Sequence, residues 1–317
     1  MQRVLENLPR ESRVAVLRFR SLGDCVLTTP ALEILKRARP DLRVAVVVED
    51  RFRDIFEGNP DVDEILPPEL SALRRFRPAL AINFHGGTRS AWMTALSAAT
   101  YRAGFGHFRL QPVYNLHVPR AQEILGEERT VHTAEHLASA MFWLGAPRVE
   151  IPRAKLAAGR KTAEMSLGAA GTSARATNSR AYAVIHAAAA APEKAWRADG
   201  FVAVGRHLKE SGLDPVVIGT VGDDLTPFAE FRTVAGAPLS EIKILLSSAS
   251  LFVGNDSGPA HMAAAFGLPV VVIFGKSDPR IWGPWRTASE VVRAQGGIQN
   301  VGVAQVIAAA ARMRVHA

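Results

Sequence analysis

Leu251-Phe252-Val253-Gly254 runs into Asn255-Asp256-Ser257-Gly258-Pro259-Ala260-His261, and Met262 to Phe266 continues with small and apolar residues. The first four residues read as a buried strand and the last stretch as a helix, so the polar residues between them fall on a strand-to-helix turn. Small residues let the chain turn tightly, and the unpaired amide hydrogens of the helix start aim at whatever lies beyond the strand. That is the arrangement of a diphosphate cradle, with Asp256, Ser257, Gly258 and His261 as its candidate residues. An Asx turn with an N-cap accounts for Asn255, Asp256 or Ser257 singly, but not for a polar run followed by His261 one turn into the helix. A histidine alone would more often be a satisfied surface group.

Outward from this turn, short β-branched runs alternate with amphipathic segments along the whole 317-residue chain, the pattern of βα units on a parallel sheet. The rhythm occurs twice. In the first half it predicts strands over 13–19, 43–49, 79–84 and 101–104, and helices over 26–39, 51–58, 69–77, 88–98 and 132–144. In the second half it predicts strands over 181–186, 215–220, 251–254, 270–274 and 290–293, and helices over 199–211, 224–231, 239–248, 258–266 and 301–314. Between them, from Glu150 to about Arg180, Gly, Ala, Ser, Thr and basic residues break the pattern and read as a linker. The expectation is an α/β fold of two Rossmann-like domains, 1–165 and 166–317, whose parallel sheets face an interdomain cleft. Apolar runs such as Val44 to Val48 require cover on both faces, as helices on a parallel sheet provide.

Ligands of open parallel sheets bind beyond the carboxyl ends of the strands, so the loops after strands hold the remaining candidates. Asp24 follows the first strand in Arg20-Ser21-Leu22-Gly23-Asp24. It is either a helix cap, accepting orphan amide hydrogens, or a general base facing the cleft. After the strand ending at His186 come Ala187 to Ala191 and then Pro192-Glu193-Lys194-Ala195-Trp196. The alanines allow close backbone approach and Lys194 can meet a phosphate as a point charge, or is a solvated surface group; Trp196 reads as a core indole. Asp223 and Asp224 end another strand, where they accept a ribose hydroxyl or cap a helix. The loop 274–285, rich in Gly, Pro and Trp, reads either as a stiff wall of the cleft or as a plain structural turn, with no catalytic role.

Composition excludes several classes. The net charge of +8 suits anionic partners, but the basic residues are scattered and only three tyrosines are present, which argues against nucleic acid. No apolar run reaches the ~18 residues of a membrane span, and the start lacks the apolar core of a secretory signal, so the cytoplasm is the expected compartment. Cys25 is the sole cysteine, which leaves no internal disulfide and no cysteine-based metal site; it reads as a small buried hydrophobe. No GxGxxG follows either domain's first strand, which argues against a nicotinamide-dependent dehydrogenase.

Taken together, SLGD at 21–24 with TTPAL at 28–32, EGNPDVDEI at 57–65, KAW at 194–196, GNDSGPAH at 254–261 and FGKSDP at 274–279 resemble glycosyltransferase family 9, the ADP-heptose:lipopolysaccharide heptosyltransferases. The resemblance implies a GT-B architecture with the acceptor on the first domain, ADP-heptose on the second, and an inverting transfer that needs no metal or other cofactor. By that likeness Asp24 is the base, Lys194 contacts the donor phosphates, and Asp256, Ser257, Gly258 and His261 form the nucleotide-sugar loop; Asp223 joins the donor side on its strand-end position alone. Arg18, Arg20, His85 and Arg89, at strand ends of the first domain, are the acceptor-side candidates for an anionic lipopolysaccharide core. Peripheral contact with the inner face of the inner membrane follows from such an acceptor. One departure stands out: Ala187 to Ala191 replace the Pro-Gly or threonines found there in many members. A GT-B protein using another nucleotide sugar, or a silent nucleotide-sugar-binding homologue, are the alternatives.

Overall fold

The computed structural model describes residues 3–158, 181–189 and 191–314. The chain divides into two compact units, Met1–Ala157 with Arg280–Arg286, and Ala158–Pro279 with Thr287–Ala317. The expected boundary at 165/166, and most of the expected linker, lie outside the described residues.

The first unit is built on six parallel strands: β1 Arg13–Leu17, β2 Arg43–Val47, β3 Glu64–Leu66, β4 Leu80–Asn83, β5 Tyr101–Phe105 and β6 Leu116–Val118. Their spatial order is β3-β2-β1-β4-β5-β6. Val14 sits between Val44 and Leu80 in register, and Val16 between Val46 and Ile82, so the centre of the sheet is a continuous aliphatic layer. Helix Leu22–Ala38 covers it and packs on helix Thr133–Leu144 through small and apolar residues. Each buried Val or Leu of this layer contributes roughly 1.5–3 kcal/mol relative to exposure.

The second unit repeats the plan with β7 Tyr182–His186, β8 Asp214–Gly219, β9 Arg232–Ala235, β10 Leu251–Asn255, β11 Val270–Ile273 and β12 Ser289–Val292. The order β12-β11-β10-β7-β8-β9 is the same doubly wound arrangement, with the sense of the list reversed. Phe201, Val204 and Leu208 of helix Ala198–Glu210 and Val306, Ala309 and Ala310 of helix Val303–Arg314 close a core over Ile185, Val217, Val253 and Val271. Trp196 belongs to that core as expected: its indole is buried, meets Phe201 edge-on, and donates Nε1–H to the Val301 carbonyl at 3.0 Å.

Several predicted elements need correction. The helix expected over 224–231 is instead a capped turn with a 3₁₀ segment at Thr226–Phe228, followed by β9. Asp224 accepts the Thr226 N–H at 2.9 Å, and Pro227 has no N–H to continue a helix. The segment expected as a helix over 51–58 is a 3₁₀ helix, Asp50–Ile55. Strands β3, β6 and β9 are additions to the expected set; all three lie at sheet edges, where a strand needs neither length nor two apolar faces. Helix Leu22–Ala38 starts four residues before the expected Val26, so Asp24 is inside its first turn rather than ahead of it.

The start of the expected linker is not free chain. The Lys155 backbone N–H donates to Thr29 Oγ1 at 2.9 Å, its ammonium meets Glu33 at 3.1 Å and Asp61 at 3.3 Å, and its carbonyl accepts Asn59 Nδ2–H at 3.3 Å. Gly58 has φ +75, and a Cβ there would come within 2.9 Å of the Ala157 Cβ. The EGNPDVDEI stretch is thus the seat on which residues 154–157 lie against the first unit. Residues Arg280–Arg286 also group with the first unit, although they lie beyond the boundary read from the sequence. There Trp285 stacks on His132 with centroids 4.7 Å apart and donates Nε1–H to the Pro152 carbonyl at 2.8 Å.

Candidate functional site

In each sheet the strand order reverses direction once, between β1 and β4 and between β7 and β10. A crevice opens at the carboxyl ends of such neighbouring strands because their following helices leave to opposite faces. Most of the residues singled out from the sequence stand at these two points.

At the first, β1 is followed by Arg18, Phe19 and Arg20. Arg18 is almost wholly buried; its Nη1 lies 3.6 Å from Asp24 Oδ1, and its Nε has no hydrogen-bond partner among the described residues. Burial works against its charge and Asp24 works for it, with a net downward shift. The other Asp24 oxygen, Oδ2, accepts the backbone N–H of Ser21 at 3.2 Å and the Ser21 hydroxyl at 3.0 Å. Capping and a charged face are therefore both present in one carboxylate, each with its own oxygen. The Arg20–Ser21 peptide between the strand and this helix is cis. Cys25 is fully buried behind them, and burial raises its thiol to about 12, which keeps it protonated and inert.

From β4, Asn83 is fully buried: its Oδ1 accepts the N–H groups of His85 and Gly86 at 2.9 and 3.0 Å, and its Nδ2 donates to Tyr114 and Ser90. That holds the loop which carries His85. The imidazole rests against Phe19, centroids 5.0 Å apart, and burial together with Arg18 and Arg20 holds its pKa below the usual histidine value. Arg89 lies with its guanidinium over the Phe19 ring at 5.6 Å and donates to the Pro68 carbonyl.

Two further histidines join this edge. His107, just after β5, and His136, on helix Thr133–Leu144, both stack on Phe105, at 5.6 and 4.0 Å. Burial, His107 and Arg18 push His136 down to about 4, while burial and Arg120 lower His107. Sequence reasoning missed both. His107 was within reach of the rule that loops after strands carry ligands, whereas nothing local to His136 marks it. His132 differs: its Nδ1 accepts the Ala134 N–H at 3.1 Å and its Nε2 donates to the Gly283 carbonyl at 2.9 Å, so both nitrogens are committed to structure.

At the second reversal, Asn255 ends β10 fully buried and ties two segments. Its Nδ2 donates to the Ala187 carbonyl at 2.7 Å, and its Oδ1 accepts the Trp196 N–H at 3.0 Å. The chain between β7 and Trp196, which carries Lys194, is thereby anchored at both ends. Lys194 Nζ lies 3.6 Å from Asp256 Oδ2, both partly exposed. Ser257 is the N-cap of helix Gly258–Ala265, and its hydroxyl is 3.1 Å from His186 Nδ1. Burial drives His186 down to about 4, so the ring is neutral at pH 7 and shares its hydrogen bond with the Ser257 hydroxyl as an uncharged partner. Gly254 cannot be larger, since a Cβ would come within 2.9 Å of the His186 carbonyl. His261 is buried on the same helix. Asp223 turns onto its own loop: its Oδ2 accepts the Thr220 N–H at 2.6 Å and hydroxyl at 2.8 Å.

This half can hold an anion through Lys194 and the free amides at the start of the helix. The first half combines one carboxylate with several cationic or neutral imidazole groups. Among the described residues no group of three or more His, Cys, Asp and Glu is placed to hold a metal ion, and no helix is long and apolar enough to cross a membrane.

The sequence profile described as glycosyltransferase family 9 (heptosyltransferase) matches residues 71–304. The chain belongs to glycosyltransferase family 9. It is a glycosyltransferase of the heptosyltransferase kind, and its two doubly wound sheets are the GT-B fold that the motifs led us to expect. Lipopolysaccharide heptosyltransferase 3 of Escherichia coli K12 is 26% identical, over 83% of this chain and 82% of its own. Two solved structures share the fold. The family 9 glycosyl transferase from Veillonella parvula DSM 2008 has a TM-score of 0.81 at 21% identity, covering 97% of this chain and 98% of that one. The E. coli heptosyltransferase WaaC with ADP-2-deoxy-2-fluoro heptose has a TM-score of 0.70 at 21% identity, covering 96% and 99%.

Proposed function

We propose that this family 9 protein transfers heptose from ADP-heptose to the Kdo/heptose inner core of lipopolysaccharide, with inversion at the anomeric carbon and Asp24 as the base. The observation that carries the reading is the division of labour between the two sheet reversals. One presents a carboxylate oxygen among cationic groups; the other presents a lysine and a helix start suited to a diphosphate. The relative crystallised with a fluorinated ADP-heptose supports the choice of donor.

In this mechanism Asp24 Oδ1 removes the proton from an acceptor hydroxyl as that oxygen attacks the anomeric carbon from the face opposite ADP. One displacement inverts the configuration. The carbon–oxygen bond to the diphosphate breaks, and the new negative charge is taken by Lys194 and by the amides that open helix Gly258–Ala265. Such preorganised charge stabilisation is commonly the largest catalytic contribution. Asp256 holds Lys194 until the phosphates arrive, Ser257 and His261 line the same turn, and Asp223 serves the ribose side. Arg18, Arg20, His85 and Arg89 bind the acid groups of the acceptor. We assign this activity to the cytoplasm, the compartment expected from the sequence.

The test is turnover of ADP-heptose with a Kdo-bearing acceptor, followed by mass spectrometry and by assignment of the new anomeric configuration. A heptosylated product of inverted configuration, together with thermal stabilisation by ADP and not by UDP or GDP, is expected. Stabilisation by UDP or GDP alone would redirect the assignment to another nucleotide sugar. Binding of ADP-heptose with no product in a single turnover would show a silent homologue, the outcome that the alanines at 187–191 would then explain.

A further inference from the structure

From Leu70 to Gln122 the chain carries no Asp or Glu but seven arginines, in a protein whose acidic residues are otherwise frequent. Part of this run forms one outer face of the first unit. Helix Thr88–Leu96 is amphipathic: Ser90, Ala91, Met93 and Thr94 are buried, while Trp92 is 54% and Leu96 44% exposed. These two residues are four apart and so lie one above the other on the helix. Of the five tryptophans only Trp92 is exposed. The neighbouring helix Leu70–Phe76 contributes Arg74 and Arg75 in its last turn and Arg77 at its left-handed C-cap, all exposed. Arg74 joins the two helices by donating Nε–H to the Leu96 carbonyl at 2.8 Å, which brings that guanidinium beside the apolar pair.

We propose that this face, Trp92 and Leu96 flanked by Arg74, Arg75 and Arg77, docks the protein on an anionic lipid bilayer. The chemistry of the face selects that partner. An exposed indole sits best at the boundary between headgroups and acyl chains, a leucine one turn away enters the apolar layer, and arginines beside them pair with lipid phosphates. A protein partner would be met by a mixed-charge rim, whereas this stretch has a single sign of charge throughout. The proposal extends the proposed function by saying where a lipid-linked acceptor is approached, but it is read out without catalysis.

The experiment is flotation of the full chain with vesicles of phosphatidylethanolamine and phosphatidylglycerol, against vesicles of phosphatidylcholine alone, at low salt and at high salt. Binding to the anionic vesicles that falls at high salt is expected. W92S/L96S and R75E/R77E should each weaken it at least about tenfold while leaving turnover of a delipidated, soluble acceptor unchanged. As a second readout insensitive to a folding defect, the wild-type chain's tryptophan fluorescence should be quenched by brominated phosphatidylglycerol, and Trp92→Phe should abolish that quenching. No binding to anionic vesicles, or equal binding by the variants, overturns the proposal. So does self-association that is lost in W92S/L96S with vesicle binding intact, which would mark the face as an interface between copies. Failure of ADP-heptose transfer with normal flotation would sink the proposed function and leave docking standing.

Discussion

Arg18 Nη1 stands 3.6 Å from Asp24 Oδ1, while the other oxygen of the same carboxylate is occupied by Ser21. Asp24→Asn keeps an acceptor for the Ser21 N–H and removes the basic oxygen. We expect kcat to fall by a factor on the order of 10²–10⁴ while the melting temperature drops by only a few degrees. Parallel loss of activity and of folded protein would assign Asp24 to capping alone.

Lys194 is held near Asp256 at 3.6 Å and is partly exposed, so little of the fold depends on it. Lys194→Ala is expected to weaken ADP binding by about tenfold, since a charge-assisted contact to phosphate contributes about 1.5–3 kcal/mol less what water restores. Isothermal titration with ADP checks it, and an unchanged affinity would place the diphosphate elsewhere.

Asn255 makes two buried hydrogen bonds to chain segments that flank the Lys194 loop. Asn255→Ala leaves the Trp196 N–H and the Ala187 carbonyl without this partner, at a cost of about 2–4 kcal/mol. Chemical denaturation should show that loss, and ADP affinity should fall with it even though Asn255 itself reaches no ligand in the proposed scheme.

His186 is held at about 4 by burial, below the usual histidine value of about 6.5. Because folding disfavours its protonation, the stability at stake is fully present above pH 6.5 and is lost as pH falls from there toward 4, up to about 3 kcal/mol. His186→Asn should flatten the decline of the denaturation midpoint across that same interval. A decline of equal slope in the variant would assign the acid sensitivity to other groups, His136 first among them.

The long buried strands were legible in the sequence because each is an uninterrupted β-branched run, and so was the turn at Asn255 to His261, whose polar residues follow such a run directly. Edge strands β3, β6 and β9 were not, since an edge strand needs no second apolar face and three or four residues suffice. Candidates for the proposed site could be named where a strand end announces them, as at Asp24, His85 and Lys194, each of which lies after a strand in the structure. His136 was hidden because only the packing of its helix against β5, two elements distant in sequence, stacks it on Phe105. The return of Arg280–Arg286 to the first unit was equally hidden: the aromatic loop reads as a wall or a plain turn, but its partners, His132 and Pro152, are defined by tertiary packing alone.

That return has a practical consequence for anyone dissecting the protein. A fragment ending near residue 157 would carry His132 and Pro152 but not the indole that caps them, and would expose an imidazole whose Nε2–H has lost the Gly283 carbonyl. The polypeptide is stitched through its first half twice, so severing it once cannot yield two self-sufficient pieces.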